Sequence, residues 1–356
     1  MTRIRLALGG ATVALIGLSA LPLQAQDWTQ REFPLAPSNS SGNFVAPYFD
    51  GWYLNEDGSY TMVFGFMNRN ADDLVEIPLG PNNFIEPAIY DGVQPTSFPV
   101  VSYGGFGGPR ERGVFAVVVP ADFTGDVWWH LTTGDYSTKV PGRLYSPGPV
   151  IKGAYELSTT PMAEGSMRPL VGFSPDNTSW GPLGVWAPET YRTSVGEPIA
   201  VTVWAYDRGD RELRDVNMTL WKYQGPVGGQ ISFVSMVEPP PPPPPAEAEP
   251  SPAGGADAAA AGGRGGAAPG GGAAAGFGGR GGAQNLGGPV GPLTPQQPVR
   301  IPLQGTAPNQ GKFSAAFDMP GEYVIRVRID NFTSGDSSAG NQCCWSNAYV
   351  RVVVTE

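Results

Sequence analysis

The chain has 356 residues with a formal net charge of −10, only 15% charged residues, 50 glycines, 38 prolines, two cysteines and one histidine, His130. That inventory excludes a histidine-rich metal centre and a cysteine-rich zinc module, and the negative charge argues against a nucleic-acid partner. Setting aside a leader and a low-complexity tract leaves about 270 residues, enough for two domains.

Residues 1–25 place Arg3 and Arg5 before an apolar run over 6–21, then Pro22 and the small residue Ala25. This is the layout of a secretory signal peptide, and the run falls short of the roughly 20 residues needed to span a bilayer. Cleavage near Ala25 predicts a periplasmic or extracellular protein with no transmembrane segment, and the absence of a nearby Cys excludes a lipoprotein anchor.

Beyond the leader no segment sustains a 3.6-residue apolar period, whereas many alternate between apolar and polar residues and are bounded by Gly, Pro, Asn or Asp. The expected fold is all-β, two immunoglobulin-like β-sandwich domains. In the first, 26–140, strands are expected at 51–54 and 59–68 around Asn55-Glu56-Asp57-Gly58, with Gly58 at positive φ. Further strands are expected at 74–77, 96–101, 112–119, 126–132 and 136–140. The Pro/Gly/Ser-rich stretch 141–192 reads as a connector. In the second domain, 193–356, strands are expected at 198–206, 215–223, 231–237, 312–318, 321–330 and 346–354. Along 321–330, Tyr323, Ile325, Val327 and Ile329 recur every second residue, so Arg326 and Arg328 are expected to face solvent. Seven prolines from Pro239 open an Ala/Gly-rich insertion, 239–298, that lacks core-forming side chains and reads as a disordered loop.

The segments VGEPIAVTVWAYDRG (195–209) and FDMPGEYVIRVRIDN (317–331) resemble bacterial immunoglobulin-like domains of the PKD and cadherin-like type, with Pro320, Gly321 and Tyr323 matching the turn into strand F. The first domain, with FGFMNRN, EIPLGPNN and RGVFAVVVPADF, looks like the partner domain in secreted bacterial proteins of unassigned function. The resemblance implies an architecture and no reaction.

In such a sandwich the B–C and F–G loops share one end, which gathers Asp207, Asp210, Asp330 and Asp336. Hard oxygen donors on loops suit calcium, whereas Asp in tight turns also serves local backbone bonds. Cys343 and Cys344 are adjacent in the F–G loop, open to three readings: a strained vicinal disulfide, two thiols, or bonds to a partner chain. Trp345 beside them is the candidate exposed ring of a binding surface, whereas Trp204 and Trp221 are expected in the core. His130, between Trp129 and Leu131 on a strand, is expected to face outward and lacks the loop that a catalytic triad requires. The resulting expectation is a secreted, non-enzymatic envelope or surface protein acting as a binding or adhesion module through its loops. Its partner would be a protein or glycan of the envelope. The alternatives are a carbohydrate-binding protein or carboxylate-dependent glycosidase, and a structural spacer.

Overall fold

A computed structural model describes residues 42–70, 73–101, 110–145, 155–161, 165–213, 216–236, 299–303, 309–331 and 345–356. The leader, the insertion 239–298, Asp336, Cys343 and Cys344 lie outside them. The described chain is almost wholly β, as expected, and no helix among the described residues is long and apolar enough to cross a membrane.

In the N-terminal half, β1 (Val45–Leu54), β2 (Tyr60–Asn68) and β6 (Arg110–Val119) form one antiparallel sheet in the order β1-β2-β6. The turn between β1 and β2 is the expected one, with Gly58 at φ 84° and its N–H donating to the Asn55 carbonyl at 3.0 Å. Facing this sheet are β4 (Asn83–Glu86), β7 (Val127–Thr133) and β8 (Tyr136–Gly142) in the order β4-β7-β8; a two-stranded ladder pairs β3 (Val75–Glu76) with β5 (Ser97–Phe98). Alternation decides what each strand buries. Phe64 and Phe66 of β2, Phe98, Phe115 and Trp129 interleave as one aromatic core, with Trp129 edge-on to Phe115 at 4.9 Å and Phe64 stacked on Phe115 at 5.1 Å. The buried indole N–H of Trp129 donates to Asn83 Oδ1 at 3.1 Å, so its polar atom is satisfied.

The C-terminal half packs two larger sheets face to face. One has the order β10 (Asn177–Trp180), β9 (Leu170–Ser174), β13 (Ile199–Tyr206), β17 (Asn309–Phe317) and β15 (Ile231–Ser235). The other has the order β11 (Val185–Trp186), β19 (Trp345–Thr355), β18 (Gly321–Asp330), β14 (Asn217–Gln224) and β16 (Val299–Pro302), with β12 (Tyr191–Ser194) joining β19 in parallel. Residues 170–192, within the stretch read from sequence as connector, thus supply β9 to β11 and the start of β12, all hydrogen-bonded into these sheets. Their short length and scattered Gly and Pro conceal an alternating pattern.

The six-stranded sheet is buried on both faces. Met218, Leu220, Ile325, Val327, Ile329, Val350 and Val352 meet the five-stranded sheet. The opposite face sends Trp221, Tyr223, Val324 and Tyr349 into the aromatic core of the N-terminal half. This corrects the expectation for Arg326 and Arg328: they are 0% and 5% exposed and face the N-terminal half instead of water. Alternation identifies two faces, and charge on the second excludes a greasy contact without excluding burial.

Candidate functional site

The loop end singled out from the sequence exists, because Asn331 Nδ2 donates to Asp207 Oδ1 at 2.6 Å and so joins the end of β18 to the loop after β13. Two of its carboxylates, Asp207 and Asp330, are committed to cations of the chain. Arg211 holds Asp207 through Nη1 to Oδ2 at 2.7 Å and Nη2 to Oδ1 at 3.3 Å. Asp330 is fully buried, with Arg328 Nη2 at 3.4 Å and Asn217 Nδ2 at 3.5 Å. Asp210 is exposed, and its N–H donates to Gly165 O at 2.9 Å. Asp336, Cys343 and Cys344 lie outside the described residues. A dication would have to displace a guanidinium from Asp207 or Asp330, and no group of three or more His, Cys, Asp or Glu side chains suited to a metal occurs among the described residues. Trp345 is not an exposed ring. It is 4% exposed and lies over Gly113, where a Cβ would come within 2.7 Å of its Nε1. Trp221 is core, as expected, whereas Trp204 is half-buried on the outer side of β13.

Behind this end runs an ionic seam. The strand β6 is bulged where it pairs with β2 between Phe64 and Phe66, and Gly113 there has φ 56°. The bulge aims both Glu111 and the Gly113 carbonyl at the six-stranded sheet. Glu111, 1% exposed, receives Arg326 Nη1 at 3.0 Å and Arg328 Nη1 at 3.0 Å from each oxygen. Arg326 also donates to Asn347 Oδ1 at 2.9 Å and Gly113 O at 3.1 Å, and its guanidinium lies 4.3 Å from the Trp221 ring centre. Nearby, buried Asp50 accepts the Gly113 N–H at 2.7 Å and pairs with Arg110; burial pushes its carboxyl above the ordinary range, against the pull of Arg110. These groups neutralise one another, as a structural seam requires.

A different surface is built for contact. Because Ile85, Trp129 and Leu131 point into the core, the strands β4, β7 and β8 present Phe84, Glu86, Trp128, His130 and Lys139 on their outer face. Register places Phe84, His130 and Lys139 in one cross-strand row and sets Glu86 opposite Trp128 in the next. The Phe84 and His130 rings stack at 4.3 Å with 8° between planes; Trp128 lies 6.5 Å from His130. Lys139 Nζ sits 4.7 Å over the Trp128 ring, and Glu86 Oε2 stands 2.9 Å from His130 Nε2. The outward direction of His130 was legible from its neighbours. The row was not, since β4 gave no alternation long enough to be noticed. A second concavity, an open cleft of about 210 Å³, lies between Phe173, Ala200 and Thr202 on one side and Pro188, Glu189 and Tyr191 on the other. It brings a single carboxylate. Burial, with Glu189 adding to it, raises the Tyr191 phenol above its ordinary value.

No family model matches the chain, and no curated protein does either. Among solved structures, the Yersinia pseudotuberculosis adhesin InvE aligns with a TM-score of 0.21 and 9% identity over 87% of this chain. The chain spans 58% of that protein's length, and an overlap so loose carries no argument about function.

Proposed function

We propose that this chain is a non-enzymatic binding module of the bacterial envelope, exported by its leader, that holds carbohydrate on the outer face of β4, β7 and β8. The stacked pair of Phe84 and His130, with Trp128 in the neighbouring row, carries this reading. Flat rings stack against the C–H faces of a pyranose, and the flanking Glu86 and Lys139 supply an acceptor and a donor for its hydroxyls. Rigid strands hold the rings, so little entropy is lost on binding. A role through the acidic loop end receives less support, because Asp207 and Asp330 are already held by arginines.

The experiment is sedimentation of the mature protein with insoluble envelope polysaccharide and titration with soluble fragments. Trp128→Ala should weaken binding about tenfold, as expected for one lost ring contact. Its circular dichroism should match the parent, because the ring lies on an outer face. Equal binding by the variant, or no polysaccharide bound by the parent, would remove the reading.

A further inference from the structure

Arg168, just before β9, is 4% exposed and has no carboxylate partner among the described residues. Its guanidinium lies beside the paired rings of Tyr53 and Trp180, 5.7 and 5.6 Å from their centres. Nη1 donates to the Ser158 carbonyl at 3.1 Å, while Nε and Nη2 are buried without a partner. Those two nitrogens are the side of a guanidinium whose parallel N–H groups match the two oxygens of a carboxylate or phosphate. Burying a cation with that fork empty is costly, and folding alone gives no reason for it.

A second arginine stands beside the first. Arg208 donates from Nε to the Arg168 carbonyl at 2.7 Å, and its guanidinium lies 5.3 Å from the same Trp180 ring. Among the described residues it too has no carboxylate partner: Asp207 next to it is taken by Arg211 and Asn331. Burial, with Arg208 adding to it and Tyr53 opposing, brings the Arg168 guanidinium down to about 10, still protonated at neutral pH. Two unneutralised cations therefore share one indole in a chain of net charge −10. Ser158, which holds Nη1, belongs to an exposed stretch, 158–160, so solvent begins one residue from the guanidinium.

We propose that Arg168 and Arg208 form an oxyanion site, independent of the carbohydrate face, in which the Nε–Nη2 fork of Arg168 takes a carboxylate or phosphate group of a bound ligand. Arg208 provides the outer cation, and the indole of Trp180 keeps both guanidiniums flat.

The test measures the melting temperature of the mature chain in about 10 mM inorganic phosphate or acetate, each against chloride at equal ionic strength. The parent should gain about 3 °C with whichever anion the fork prefers. A larger gain with phosphate points to a phosphorylated polymer, and one with acetate to an acidic sugar or peptide. Arg208→Gln should lose most of the gain. Arg168→Met should abolish it while melting no lower than the parent in chloride, because an apolar chain beside two rings replaces an unpaired charge. A gain of equal size in all three proteins would be general salting-out and would overturn the site, as would no gain in the parent.

Discussion

Glu111 is a single buried carboxylate that two guanidiniums from another strand depend on. Glu111→Ala would leave Arg326 and Arg328 short of one countercharge inside the protein, a loss of about 3–5 kcal/mol in unfolding free energy by denaturant titration. Replacing Glu111, Arg326 and Arg328 by Met or Leu together with Asp330→Asn should cost much less, since removing the whole cluster, Asp330 included, also removes the desolvation that it has to offset. A fourfold variant as unstable as the single one would show that the seam stabilises on balance. From sequence, the even positions of 321–330 read as a wet face because Arg and Asp alternate there with Val and Ile. The partner Glu111 lies more than two hundred residues away and carries no local mark of its role. Trp345 was misplaced for a related reason. Its polar neighbours Cys343, Cys344 and Ser346 suggest a loop, whereas Gly113 in the opposite half makes room for the ring. Asp207 follows an alternating run, but nothing in that run marks Arg211, four residues on, as the cation that takes its charge. Calcium at about 5 mM, against chelator, should therefore leave the melting temperature unchanged, and a rise of several degrees would return Asp207 and Asp330 to metal duty.

At the scale of elements, the alternating runs located the long strands well, because one-sided burial imposes a two-residue period. Short strands such as β9 to β12 escaped, since two to five residues cannot display a period. The flanks of the insertion end in different layers: β15 is an edge of the five-stranded sheet and β16 an edge of the six-stranded one. Any replacement must therefore cross from one sheet to the other, which a tight turn cannot do. Exchanging 239–298 for about 20 Gly/Ser residues should keep the fold and shift stability by about 1 kcal/mol or less, because loop closure depends on the logarithm of length. A fall of more than about 10 °C in melting temperature would mean that the tract contributes packing.

For the molecule as a whole, the six-stranded sheet belongs to both halves, and residues 39–356 form one compact unit. Calorimetry should show one cooperative transition, and two separate transitions would contradict a shared sheet. The junction also has an alkaline weakness. The phenol O–H groups of Tyr223 and Tyr349 donate to the carbonyls of Val93 and Val114 in the N-terminal half. Burial raises both phenols, Tyr349 to about 12 with Arg326 partly opposing, and Tyr223 well above its ordinary value. A group whose folded pKa is raised gives stability that is complete below the unfolded value of 10 and is lost as pH climbs to the folded one. Unfolding free energy should therefore fall by about 3 kcal/mol between pH 10 and 12 for Tyr349 alone, and Tyr349→Phe should flatten that slope. Because β19 lies beside β18 at the heart of that sheet, neither core can close until residues 345–355 have been synthesised. A chain threading outward through an export channel would then stay loose and unable to jam on a prematurely folded N-terminal half. Its folding would begin only on the far side, with the arrival of the last strand.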